Sequence, residues 1–147
     1  IPFDKVEVVP KPAISVSLDK TSIFNWADKK VLIVEDDRVN YMLLEKLFEK
    51  TGAEIYRAET AREAVDKGLE LPDLDLILMD VRLPDFTGWE AAKKIKSVKP
   101  DIPIVVQTAN AMPEDKEKTF ESGCDGYISK PISRNIFYQT MEQFLNK

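Results

Sequence analysis

The chain has no histidine and a single cysteine, and these two scarcities exclude most of the familiar catalytic chemistries. Without imidazole there is no Ser-His-Asp or Cys-His catalysis and no His-ligated metal. One cysteine supports neither a disulfide framework nor a zinc site built on several thiolates. No stretch approaches the ~20 apolar residues that a membrane span needs. No cationic start followed by an apolar segment is seen, so no signal peptide and no membrane contact by this segment are expected. Basic charge is also in deficit: 21 Lys and Arg against 26 Asp and Glu leave a net charge of −5, which argues against direct, non-specific nucleic-acid binding. What remains for chemistry is carboxylates, lysines, hydroxyls and a hard, oxygen-binding cation. With 147 residues and 44% hydrophobic content, the chain is long and apolar enough for one domain with a real core.

Composition shifts near residue 29. Residues 1–28 hold Pro2, Pro10 and Pro12 and no glycine, which breaks helices and disfavours a central strand. They are expected to form an extended interdomain linker that lies against the domain through Ile23, Phe24 and Trp26. The folded domain is expected over residues 29–147. There, short apolar runs alternate with helical periodicity. Strands are expected at 31–34, 54–58, 74–79, 104–108 and 126–129. Helix one carries Val39, Met42, Leu43, Lys46 and Leu47 at i, i+3, i+4 spacing and ends at Thr51-Gly52. Thr60 with Glu63 reads as a capping box for helix two, which runs to about 69. Helices also fit 87/88–99, 113–122 (proline in its first turn) and 133–146. Five such alternations imply a parallel sheet covered on both faces, an α/β doubly wound architecture.

In such a sheet, ligands gather beyond the carboxyl ends of the strands. Strand one ends in Glu35-Asp36-Asp37, strand three in Asp80, strand four in Thr108-Ala109 and strand five in Lys130-Pro131. Taken singly, each has a plain reading: Asp37 as a helix cap, Thr108 as an ordinary strand threonine, Lys130 as a solvated loop residue. Together they bring carboxylates, a hydroxyl and an ammonium to one edge. Clustered carboxylates repel one another, and Mg²⁺ relieves that repulsion while keeping positions open for a phosphate. A carboxylate there can act as nucleophile and form an acyl phosphate, with Lys and hydroxyl compensating the phosphoryl charge.

These segments resemble the receiver domain of two-component response regulators. The resemblance is carried by the acidic run Glu35-Asp-Asp37, by Leu78-Met-Asp-Val-Arg-Leu-Pro84 with Gly88-Trp-Glu90, by Thr108-Ala109, and by Tyr127-Ile-Ser-Lys-Pro131. It implies a flavodoxin-like five-stranded parallel sheet of order 2-1-3-4-5. It also implies that Asp80 accepts a phosphoryl group from a phosphohistidine, donated by a histidine kinase or phosphotransfer domain. Mg²⁺ would be held by Asp36, Asp80 and the backbone carbonyl of Arg82, with Glu35 acting through a water. Lys130, Thr108 and the backbone N–H of Ala109 would hold the phosphate. Thr108 and Tyr127 would form the switch, altering a face made by helix four, strand five and helix five that serves self-association or kinase contact. The Lys130–Pro131 bond resembles the family's cis peptide. Arg82 and Asn110, two residues after Asp80 and Thr108, are positions expected to tune phosphate lifetime. Ile1-Pro-Phe3 resembles the closing strand of a histidine-kinase ATP-binding domain, which implies the C-terminal receiver of a hybrid sensor kinase and a cytoplasmic location.

Two other classes stay open at this point. One is a pseudo-receiver that binds partners without phosphorylation, against which the retention of Asp36, Asp80, Thr108 and Lys130 counts. The other is a Mg²⁺-dependent phosphatase with an aspartyl nucleophile, which needs Asp-x-Asp where this chain has Asp80-Val81-Arg82. Cys124, Trp89 and Phe120 are read as packing residues, the two aromatics at helical core positions.

Overall fold

A computed structural model describes residues 24–109 and 112–146. Among these, strands and helices alternate as β1 (Lys30–Val34), α1 (Arg38–Glu49), β2 (Glu54–Ala58), α2 (Ala61–Glu70), β3 (Leu76–Asp80), α3 (Gly88–Val98), β4 (Ile104–Thr108), α4 (Pro113–Glu121), β5 (Gly126–Ser129) and α5 (Arg134–Leu145). The strands form one parallel sheet of order β2-β1-β3-β4-β5, as expected from the sequence. The central strands β3 and β4 are buried throughout, and β1 from its second residue on. Their near-continuous Val, Ile and Leu runs are therefore what two covered faces require.

The two faces are packed with different side chains. Leu32, Val34, Ile77, Met79, Ile104 and Val106 meet the alanine-rich surfaces of α2 and α3. Val31, Ile33, Leu76, Leu78, Val105 and Ile128 meet an aromatic layer built from Phe48 of α1, Phe137 and Tyr138 of α5, and Trp26. Trp26 is fully buried and donates from Nε1 to Asn146 Oδ1 at 2.7 Å, while Phe24 stacks on Tyr138. Packing through Phe24 and Trp26 thus agrees with the expectation for this segment. Ile23 and the Ile1-Pro-Phe3 stretch lie outside the described residues.

Several local expectations need correction. Helix α1 does not bury Val39, Met42 and Leu43, which are 73%, 54% and 48% exposed; it buries Leu44 and Phe48. The apolar residues on this helix span more than one face, and Phe48, edge-on to Phe137 at 5.0 Å, fixes which face turns inward. Strand β3 begins two residues late, because the chain turns at Asp73 (φ 59°) and Asp75 accepts the backbone N–H of Lys30 at 2.9 Å. Glu63 reaches the N–H of Glu59 rather than that of the cap Thr60. The full capping box occurs instead on α3, between Thr87 and Glu90. Phe120 is 55% exposed, its ring edge-on to Tyr127. Trp89 is half-buried, donating to Thr119 Oγ1 at 3.0 Å.

Candidate acidic site at the carboxyl edge of the sheet

Strand alternation decides which side chains meet. Asp80 follows Met79 on β3, and Glu35 follows Val34 on β1, with Val34 in register with Met79. Both carboxylates therefore project from the same sheet face at adjacent positions. Asp36, one residue on, lies exposed at the rim. Glu35, Asp36 and Asp80 each present an oxygen within 4.8 Å of the others. Asp37, as its plain reading held, caps α1 by accepting the N–H of Val39 at 2.9 Å.

Lys130 enters from the end of β5, its backbone N–H tied to the Thr108 carbonyl at 2.9 Å. Its Nζ lies 2.8 Å from Asp80 Oδ2 and 3.6 Å from Glu35 Oε1. Asp80 Oδ1 accepts the N–H of Arg82 at 3.0 Å. Gly88 explains how the following loop folds so tightly against the strand. Its N–H donates to the Val81 carbonyl at 2.8 Å, and a Cβ there would stand 2.3 Å from the Asp80 carbonyl oxygen. No side chain fits at that distance.

The electrostatics follow from burial and charge. Glu35 is fully buried, and burial first, then the charge of Asp80, pushes its carboxyl up to about 7. Burial would depress Lys130, but its hydrogen bond and charge contact with Asp80 prevail and hold it above its ordinary value. Cys124 is buried and its thiol is pushed up to about 12, chiefly by burial, so it is no nucleophile at neutral pH.

A cleft of about 740 Å³ opens over this cluster, bounded by Glu35, Asp36, Asp80, Arg82, Thr108, Ala109 and Lys130 among others. Seven of the expected site residues are thereby brought to one place. Tyr127 is not among the lining residues; half-buried, it lies between β5 and α4, with the Lys116 ammonium 5.6 Å from its ring. Asn110 lies outside the described residues. The peptide bond before Pro131 is cis.

The donor set suits Mg²⁺. Three hard carboxylates converge, and Glu35 Oε1 is buried without a hydrogen-bond donor. The sequence reading gave no site role to two residues that line the cleft, nor to one buried beside it. Trp89 and Asp115 border the cleft from α3 and α4. Gln107 is fully buried beside Asp80 in register, with neither amide atom hydrogen-bonded. A polar residue inside an apolar strand run was the available signal for Gln107.

Comparison with known proteins agrees with this geometry. The response regulator receiver domain family matches residues 31–142. The polar-differentiation response regulator DivK of Brucella ovis is 41% identical over 119 residues, covering 80% of this chain and 96% of that protein. Among solved structures, the receiver domain of Ssk1 from Saccharomyces cerevisiae, crystallised with the histidine phosphotransfer protein Ypd1, superposes with a TM-score of 0.75 at 31% identity. That match covers 80% of this chain and 89% of the other. The receiver domain of the sensor histidine kinase PA1611 from Pseudomonas aeruginosa, with magnesium coordinated in its active-site cleft, gives 0.74 at 28% identity over 81% and 98% of the two chains.

Proposed function

Since this chain belongs to the response regulator receiver domain family of two-component signalling, we propose that Asp80 is its phosphoacceptor. The observation that carries this reading is the setting of that carboxylate. Oδ2 is held by the Lys130 ammonium and Oδ1 by the Arg82 N–H, within reach of two further carboxylates at the floor of an open cleft. A carboxylate so fixed needs no further orientation before reaction.

In the step we envisage, an Asp80 oxygen forms the new O–P bond as the P–N bond of a phosphohistidine breaks, and the departing imidazole keeps the electron pair. Bound Mg²⁺, held by Asp36, Asp80 and the Arg82 carbonyl, with Glu35 behind them, would offset the charge gathered on the carboxylates and the transferring group. Lys130 then pairs with a phosphoryl oxygen in place of Asp80. Thr108 and the Ala109 N–H, at the other wall, supply donors to the remaining oxygens. Engagement of Thr108 frees space that Tyr127 takes up, which alters the α4–β5–α5 face. Arg82 lines the cleft, and Arg82 and Asn110, two residues after Asp80 and Thr108 in the chain, set the lifetime of the acyl phosphate.

The donor is a phosphohistidine-bearing kinase or phosphotransfer domain. Support comes from the Ssk1 receiver, crystallised with such a protein, and from the exposed Val39, Met42 and Leu43 on α1, next to the acidic rim. Residues 29–147 are the receiver unit in this reading and residues 1–28 the segment leading into it, whose end packs onto the unit through Phe24 and Trp26. A hybrid sensor kinase working in the cytoplasm is the parent this arrangement suits.

The test is intact-mass measurement after incubation with Mg²⁺ and a small acyl-phosphate donor. One phosphoryl group should add, base-labile and acid-stable, and be lost with EDTA or in Asp80→Asn. An adduct that survives Asp80→Asn, or steady turnover of phosphate monoesters without an adduct, would overturn the assignment.

A further inference from the structure

The loop between β3 and α3 carries the Arg82 carbonyl, and it is fastened to a helix that takes no other part in the site. At its start, Val81 N–H bonds the Gln107 carbonyl at 3.0 Å and Arg82 N–H bonds Asp80; at its end, Gly88 N–H returns to the Val81 carbonyl. Its middle is held by Asp85. That carboxylate leaves its own loop and accepts the first two backbone N–H groups of α2, with Oδ1 on Ala61 N–H at 2.8 Å and Oδ2 on Arg62 N–H at 2.9 Å.

The arrangement is a helix cap supplied in trans. The first N–H groups of a helix have no intrahelical acceptor and carry the positive end of its dipole, so they bind an anion well. The same helix already has its own cap: Thr60 Oγ1 accepts the N–H of Glu63 at 3.0 Å. Hydrogen bonds to Arg62, Ala61 and nearby loop N–H groups hold the Asp85 carboxyl below its ordinary range despite the opposing effect of desolvation. Asp85 itself is exposed, so its burial contributes nothing to the core. Its two bonds instead fix one loop to one helix, three residues from the carbonyl expected to face the cation.

We infer that Asp85 is a positioning residue for the acceptor loop, using the α2 N-terminus as a fixed anchor so that the Arg82 carbonyl is already aimed into the acidic cleft before a cation arrives. This rests on the reading of the Arg82 carbonyl as a Mg²⁺ ligand. Residues that orient metal ligands without touching the metal commonly govern affinity by an order of magnitude or more.

The experiment is a Mg²⁺ titration of the whole chain followed by fluorescence, since Trp89 borders the cleft, combined with amide hydrogen exchange on α2. Asp85→Ala should weaken Mg²⁺ binding about tenfold. Asp85→Asn, which keeps one acceptor oxygen but loses the charge, should fall between it and the unaltered protein. Thr60→Ala is the control: it removes a cap from the same helix and speeds α2 exchange, but leaves Mg²⁺ affinity unchanged. Unaltered affinity in Asp85→Ala overturns the inference, as does an equal loss in Thr60→Ala, which would place the effect in α2 stability. If the unaltered chain binds no Mg²⁺, the metal reading itself fails and this inference falls with it, an outcome distinct from both.

Discussion

Helices α4 and α5 flank the same edge strand, β5, yet they are attached in different ways. Helix α5 buries Phe137, Tyr138, Met141 and Leu145 in the aromatic layer, and the Tyr138 hydroxyl donates to the Leu47 carbonyl on α1. Helix α4 buries Thr119 alone among the described residues and leaves Met112 and Phe120 in solvent. Its attachments are directional: Trp89 to Thr119, the edge contact of Phe120 with Tyr127, and lysine ammoniums over the Trp89 and Tyr127 rings. A helix fixed by apolar area moves only when the core opens, whereas one tethered by a few polar and ring contacts can shift at modest cost. This lightly tethered side of the molecule is also the side where Asp115 and Trp89 border the cleft. Attachment strength therefore sets which of the two helices can shift at the lower cost.

The largest expected effect is on the fixed side. Phe137→Ala removes a fully buried ring and should cost about 3–5 kcal/mol in urea unfolding; a cost below about 1 kcal/mol would break the contrast. Next comes the polar end of that same sheet face. The folded protein retains a proton on Glu35 up to about pH 7, where an unfolded carboxyl has lost it near its ordinary value of 4.5. Metal-free stability should therefore decline as pH rises from about 4.5 to 7, and Glu35→Gln should flatten the decline in melts run in EDTA. The carboxylates held below their ordinary range, Glu63 and Asp85, act with the opposite sign and at lower pH. The smallest effect lies on the tethered side. Thr119→Val removes the acceptor for the Trp89 N–H and should cost about 1 kcal/mol. Hydrogen exchange should rise in α4 while α5 stays protected; equal loosening of both would erase the distinction.

The strands, the helices and the acidic edge were legible because they depend on local pattern. Buried parallel strands must be continuous apolar runs, and polar residues that end such runs fall at one edge of the sheet. Glu35, Asp80 and Lys130 were found that way. The buried face of α1 was not, since Val39, Met42 and Leu43 fit helical periodicity as well as Leu44 and Phe48 do. Phe120 was misjudged for the same reason: a large apolar residue at helical spacing carries no mark of what lies opposite. Asp85 gave no signal either, because its partners, Ala61 and Arg62, are 24 and 23 residues away and offer only backbone N–H groups.

By itself, then, the sequence determined which residue types could do chemistry here, and that they would stand at the ends of neighbouring strands. Residue type and alternation are properties of the chain alone. Only the tertiary structure decided which α1 face turns inward, why α4 is held loosely, and which distant helix anchors the loop between β3 and α3. Those outcomes depend on contacts between segments far apart in the chain, where shape and burial choose among arrangements that local pattern leaves equal.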